Sequence, residues 1–380
     1  MLKPSGWSAL WTFPSILLSA FVIAWGAEAA QFLISQGMAL AILAWLQTMP
    51  EFAVEAVIAW QAGKDLSKTH LVIANFTGSL RLLVGLGWPM IYFTAAAFRK
   101  KFINIDLEEE HSVEVFGLLL PLAYFTFIWW KGTLTVWDAI PLSACYFAYL
   151  WLLWKIPPRE AESEALEDLG VIPRKTLALP PKMRNLAILT MFVAGGVLLY
   201  FSAHPFLNSM LAIATSLGVS TFVFVQWVAP FLSEFPEKLS AFYWARKVST
   251  ANVALMNMVS SNINQWSILS AMIPIIFALS AGHTGPIQFD EFQRHEIILT
   301  ILQSFLGFLL LLNLELQLHE AVILFVFWFV QFVVPAWREA MIYVYLGWCL
   351  VELVRLIAHR SAPAAWVALR RTYAQHVARP

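Results

Sequence analysis

An all-α, polytopic membrane protein is the fold class this sequence predicts, and three observations carry that prediction. Of 380 residues, 60% are hydrophobic and only 13% charged, and mean hydropathy is +0.69, whereas soluble domains are about 45–50% apolar. The apolar residues fall into runs of about 20, the length a helix needs to cross the hydrocarbon core. Two of those runs carry a proline followed by a glutamate, at Leu46–Glu51 and at Leu232–Glu237. A carboxylate in hydrocarbon is expensive unless it meets a cation or a partner.

Taken in order, the runs predict spans over 9–33, 38–61, 69–98, 113–130, 134–154, 186–205, 210–245, 249–280, 295–312, 319–335 and 339–358. The N-terminus leads into its first run without a small-residue cleavage site, so that run reads as a retained span and not a signal peptide. Residues 155–185, rich in charge and proline, separate 1–154 (spans one to five) from 186–338 (six to ten), with 339–380 an added span and basic tail. The acidic patch Glu160, Glu162, Glu164, Glu167 and Asp168 is expected to be a solvated hinge, with a short amphipathic helix over 159–169 as the other reading. The 18 tryptophans suit interfacial belts.

Positive charge orients the chain, because cytoplasmic loops are rich in Lys and Arg. With the N-terminus outside, sixteen Lys and Arg fall on the cytoplasmic side, in Arg99–Lys101, the linker, Arg246, Lys247 and the tail. Six, namely Lys3, Lys64, Lys68, Lys131, Arg294 and Arg338, fall on the other. The expectation is an integral protein of the cell membrane, linker and C-terminus inside. Net charge is zero, so nothing points to nucleic acid. Cys145 and Cys349 lie in apolar runs without metal-ligand spacing and read as buried hydrophobes. No nucleotide loop, catalytic triad or zinc signature is present, which argues against an enzyme and implies no cofactor.

The two Pro-Glu stretches lie five crossings apart, so their helices run in opposite directions. Each is followed by a helix with an Asn and a hydroxyl residue at i and i+4, on one face: Asn75 and Ser79 in the third span, Asn257 and Ser261 in the eighth. Ser79 lies 28 residues after Glu51, and Ser261 lies 24 after Glu237. Pro50 and Pro236 free backbone carbonyls one turn earlier, near Leu46 and Leu232. Inverted repeats with broken helices are how many secondary transporters build an ion site. Glu51 and Glu237 are hard oxygen ligands, to which Thr48, Ser233, Ser79 and Ser261 add hydroxyls, a set suited to Na+ or Ca2+. The other reading is that both glutamates form structural salt bridges with Arg81 and Lys238.

These residues resemble the sodium/calcium exchanger family of the cation/Ca2+ exchanger superfamily, whose repeats read roughly G-T-S-x-P-E and then G-N-x-x-G-S-N-x-x-N/D. The resemblance implies two inverted five-helix repeats, here with one extra C-terminal span (10–11 in all), and cation antiport by alternating access. It makes Glu51 and Glu237 the central ligands, with Ser79 and Ser261 beside them. The sequence departs from the family at several positions. Leu46 and Leu232 replace the motif glycine, Gln47-Thr48 and Ser233-Glu234 replace Thr-Ser, and the later Asn position holds Leu83 in one repeat and Gln265 in the other. Glu55 and Glu234 add acids, while Arg81 and Lys238 add cations. The implied antiport is of Ca2+ or another cation against Na+ or H+, in which Arg81 either stands in for a coupling cation, changing stoichiometry or favouring H+ coupling, or faces a wet crevice or a neighbouring helix. The competing reading is a non-transporting membrane protein whose site Arg81 and Lys238 neutralise. Partners are inorganic cations and the bilayer, and oligomeric state is open.

The remaining polar residues are expected to be structural. Glu315, His319 and Glu320 belong to a cytoplasmic helix end, Glu352 and Arg355 form an i, i+3 pair, and Glu108–His111 is a solvated loop. Glu28 either ends the first span or lines the crevice.

Overall fold

The computed structural model describes residues 6–158, 169–216, 218, 224–358 and 362–378. The acidic patch Glu160–Asp168, and with it most of the amphipathic-helix alternative, lies outside the described residues. Because hydrocarbon leaves unpaired backbone groups unsatisfied, the chain is built from helices. They are α1 (Ala9–Ala30), α2 (Gln36–Gln47), α3 (Met49–Lys64), α4 (Thr69–Leu82), α5 (Trp88–Arg99), α6 (Ser112–Lys131), α7 (Ala139–Lys155), α8 (Val171–Leu177), α9 (Pro181–Ser216), α10 (Ala229–Ser233), α11 (Phe235–Ala245), α12 (Ala251–Asn264), α13 (Ser270–Ala281), α14 (Glu291–Leu310), α15 (Leu318–Val333), α16 (Arg338–Ala358) and α17 (Ala364–His376). Among the described residues eight helical runs are long and apolar enough to cross a membrane, nine when the bent pair α2–α3 counts as one, and α15 is a shorter apolar helix.

The repeat is visible in the helix breaks. α2 ends at Gln47 and α3 starts at Met49, bent by 46°; α10 ends at Ser233 and α11 starts at Phe235. Pro50 and Pro236 each stand in the first turn of the second half-helix, where their missing N–H costs nothing. They therefore start new helices, where the sequence suggested kinks inside continuous ones. A π-helical turn joins α4 to α5 at Leu83–Gly87 and α12 to α13 at Gln265–Leu269. The same sequence offset relates these turns as relates Asn75 to Asn257 and Ser79 to Ser261. Such π turns concentrate at functional sites.

Two-residue strands mark the ends of the bundle. β1 (Ile105–Asp106) pairs antiparallel with β4 (Glu315–Leu316), and β2 (Thr133–Leu134) with β3 (Ile287–Gln288). At the first end Arg371 of α17 meets Glu109 at 2.5 Å, and Glu28 takes a 2.6 Å hydrogen bond from Trp244 Nε1. At the other, Trp129 Nε1 donates to the carbonyl of Arg294 at 3.0 Å and Lys131 pairs with Asp138.

The sequence and the structure part company around Pro205. The expected spans 186–205 and 210–245 are redrawn: α9 runs unbroken through Pro205 to Ser216, and the broken crossing that follows is described from Phe224 to Ala245. Membrane helices tolerate an interior proline where neighbours or shifted backbone bonds satisfy the freed groups. Part of the linker is also ordered, since Val171–Leu177 forms α8 with Pro173 and Thr176 buried. Cys145 and Cys349 are free thiols, the second buried. Glu352 and Arg355 pair at 3.0 Å as expected.

Glycine matters most at Gly78 in α4. A Cβ there would collide with the backbone carbonyl of Gln226, on the π turn Phe224–Val228 that precedes α10. This close approach brings the α10–α11 break against α4. Gly78→Ala is expected to lower stability by about 1–3 kcal/mol, the usual cost of overpacking. A melting temperature unchanged from wild type would contradict that packing.

Candidate functional site: a buried carboxylate cluster at two helix breaks

Glu51 and Glu237 occupy the first turns of α3 and α11, both 0% exposed. Glu51 is held on two sides. Asn75 Nδ2 donates to its Oε1 at 2.7 Å, and the Ser233 hydroxyl, from the opposite break, donates to Oε2. The same Asn75 amide lies 2.6 Å from Glu55 Oε2, so one neutral donor bridges two carboxylates. Glu237 differs: both its oxygens are buried without a hydrogen-bond partner, as is the Oγ of neighbouring Ser261.

The other candidates fill in around this pair. Ser79 Oγ lies within hydrogen-bonding distance of the Glu234 carboxylate and 2.8 Å from Gln265 Oε1, and Gln265 Nε2 donates to Glu234 Oε1 at 2.9 Å. Lys238 Nζ donates to Glu234 Oε2 one turn away. Thr48 donates to the Ala44 carbonyl at 2.9 Å and accepts from Asn264 Nδ2 at 2.7 Å. Its hydroxyl is thereby committed to the helix end. Gln47 donates to Ser240 and accepts from Asn257 Nδ2 at 3.3 Å. The Oδ1 atoms of Asn75 and Asn257 and Oε1 of Glu55 remain buried without partners. The cluster holds more oxygen acceptors than donors, a composition that can accommodate a cation.

Arg81 is not part of it. Its guanidinium donates to Glu296 of α14 and, at 3.0 Å, to Gln331 of α15, and stacks over Trp227 with 5.1 Å to the ring centroid. Arg338 holds the other Glu296 oxygen at 3.1 Å and donates to Gln226 at 2.9 Å. Gln303 caps the Arg81 carbonyl at 2.9 Å and receives Gln331 Nε2 at 3.0 Å. The alternative reading in which Arg81 pairs with the motif glutamates therefore does not hold. Arg338, counted from the sequence among the charges between two spans, is the first residue of α16 and is buried at 7% exposure. With Arg81 matched by Glu296, the neutralised-site reading loses one of its two cations, and four carboxylates face Lys238 alone. Glu296, Gln226, Gln303, Gln331 and Asn264 escaped the sequence reading. Buried polar residues in apolar runs were the available signal.

The family model described as "Sodium/calcium exchanger protein" matches twice, over residues 5–155 and 187–337. The chain belongs to the sodium/calcium exchanger family. The exchanger is also similar to the crystal structure of the H+/Ca2+ exchanger CAX, at 30% identity over 96% of this chain and 90% of that one, TM-score 0.80. Two structures of the sodium-calcium exchanger NCX_Mj, soaked with Na+ and Sr2+, share its fold at 16% identity each. They cover 86% and 88% of this chain and 97% and 99% of theirs, with TM-scores of 0.62 and 0.63. No curated protein matches the sequence. The exchanger is therefore an integral membrane cation/Ca2+ secondary transporter and not an enzyme.

Proposed function

We propose that this exchanger moves Ca2+ against H+ by alternating access, with Glu51 and Glu237 as the central ligands. The observation that carries the reading is the excess of buried carboxylate. Glu51, Glu55, Glu234 and Glu237 face a single ammonium, and both oxygens of Glu237 lack a donor. A dehydrated hard cation satisfies such oxygens, and Ca2+ takes six to eight of them. Glu237, Ser261 and the Oδ1 of Asn257 supply ligands from one repeat; Glu51 and the Oδ1 of Asn75 supply them from the other. Ser79, Gln265 and Glu234 form the polar rim, with Lys238 holding Glu234 back from the ion. Gln47, Thr48 and Ser233 order the half-helix ends.

The proton arm rests on Asn75. Its single amide nitrogen bridges Glu51 and Glu55, and two carboxylates that close release a proton when a divalent cation arrives and recover it when the cation leaves. The 30% identity to an H+/Ca2+ exchanger supports the same coupling. For orientation we favour an outside N-terminus with linker and tail cytoplasmic, in a cell membrane. The sixteen-to-six asymmetry of Lys and Arg supports it.

A ligand that binds only the folded state at a hundredfold excess over Kd adds about 2.7 kcal/mol of stability. Purified protein is expected to melt at higher temperature as Ca2+ is added, with a response that weakens as pH falls. Asn75→Ala, which removes the Oδ1 ligand and frees both carboxylates, is expected to weaken Ca2+ binding about tenfold or more and to alter its pH dependence. A Ca2+ response independent of pH, or unchanged in Asn75→Ala, would refute the proton arm.

A further inference from the structure

A second group of metal-ligating side chains lies at the opening of α6, away from the helix breaks. Glu108, Glu110 and His111 each present a ligand atom, all within 4.8 Å of one another. The sequence suggested a solvated loop here, but His111 is 0% exposed and Glu114 is 1% exposed. Both His111 ring nitrogens and both Glu114 oxygens are buried without a hydrogen-bond partner. Glu114 Oε1 stands 3.7 Å from His111 Nδ1, beyond hydrogen-bonding distance, and its carboxylate packs against Gly37, whose missing Cβ leaves it room. Burying an imidazole and a carboxylate with only this long ion-pair contact between them and no hydrogen bond for either is costly.

We propose that Glu108, Glu110 and His111, backed by Glu114, form a second cation site for a divalent cation of borderline softness, Zn2+ or Mn2+. An imidazole nitrogen beside carboxylate oxygens is the donor set those ions accept, whereas Ca2+ takes oxygen almost alone. The cation gives His111 a bond and offsets the carboxylates gathered around it. In the metal-bound arrangement Glu114 orients the imidazole from behind, as outer carboxylates do at other metal sites. The site is placed to sense conditions at that end of the bundle. Glu109, in the same turn, is bonded to Arg371 of α17, and Asn252 at the start of α12 reaches Glu108 at 3.4 Å. The cation therefore sits where the C-terminal helix and the helix bearing Asn257 and Ser261 both touch.

The test uses the purified full-length chain and its Glu51→Gln/Glu237→Gln variant, in which the transport site is disabled. Zn2+ and Mn2+ are expected to raise the melting temperature of both proteins, and His111→Gln in the disabled background is expected to weaken that binding about tenfold or more. Glu108→Gln/Glu110→Gln, at half-buried positions, does the same and decides the matter if His111→Gln fails to fold. The proposal is overturned if Zn2+ and Mn2+ have no effect, if their effect disappears with the transport site alone, or if it survives whichever of these variants folds. Because the disabled background carries the measurement, failure here leaves the transport reading untouched.

Discussion

Exchange in proteoliposomes is expected to fall about a hundredfold or more when Glu237 is replaced by glutamine, with no loss of stability in the protein itself. Removing a direct ligand exceeds the 10- to 100-fold effect of changing an outer one. Glu237→Gln keeps the shape of the side chain, removes its charge and introduces an amide donor. That donor enters a region where Ser261 Oγ, Asn257 Oδ1 and the Glu237 oxygens all lack partners. Without cation, the variant is expected to melt at or above the wild-type temperature, because buried acceptors acquire a donor. With saturating Ca2+ the wild type rises and the variant does not. Glu51→Gln is expected to lose exchange in the same way but gain no stability, since Glu51 already receives Asn75 and Ser233. A Glu237→Gln protein that still exchanges at the wild-type rate would remove the carboxylate from its central place.

The largest loss of stability is expected not at the ion site but at Glu296. Its two oxygens bind Arg81 and Arg338, both buried. Glu296→Ala leaves two guanidiniums facing each other in low dielectric, and breaking a buried pair costs about 3–5 kcal/mol, with the upper end expected here. Arg81→Ala costs about 3 kcal/mol, the lower end of that range, because Arg338 still holds Glu296. In Arg81→Asn, the ion dependence of exchange is expected to stay as in wild type, since the Arg81 side chain bonds Glu296, Gln331 and the face of Trp227. Melting curves and flux on the same preparations check both statements. A switch from proton to sodium dependence in Arg81→Asn would return Arg81 to the ion site.

The contrast between Glu51 and Arg81 shows what a single sequence reveals about such a site. Pro50-Glu51 and Pro236-Glu237 are readable because the expense of a carboxylate in hydrocarbon makes each one conspicuous, and their repetition shows that the two belong together. Asn75 and Ser79 follow from helical spacing, which needs only local geometry. For Arg81 the sequence leaves several partners open, because proximity in sequence is the one ruler it offers. Its partner Glu296 lies 215 positions away, on a helix whose packing against α4 no periodicity discloses. Gln226, Gln303 and Gln331 were visible as polar residues in apolar runs, but which of them meet is decided by tertiary packing. The boundary expected between 205 and 210 is absent, since Pro205 sits inside α9, which continues to Ser216; a membrane helix tolerates such an interior proline.

The account turns on Glu51 and Glu237 exchanging Ca2+ for protons, and Ca2+ uptake into proteoliposomes under imposed gradients tests it most directly. Uptake driven by an outward proton gradient, unaffected by replacing Na+ with an inert cation and absent in Glu51→Gln and Glu237→Gln, is the predicted result. Uptake that requires an outward Na+ gradient and ignores the pH difference would contradict it.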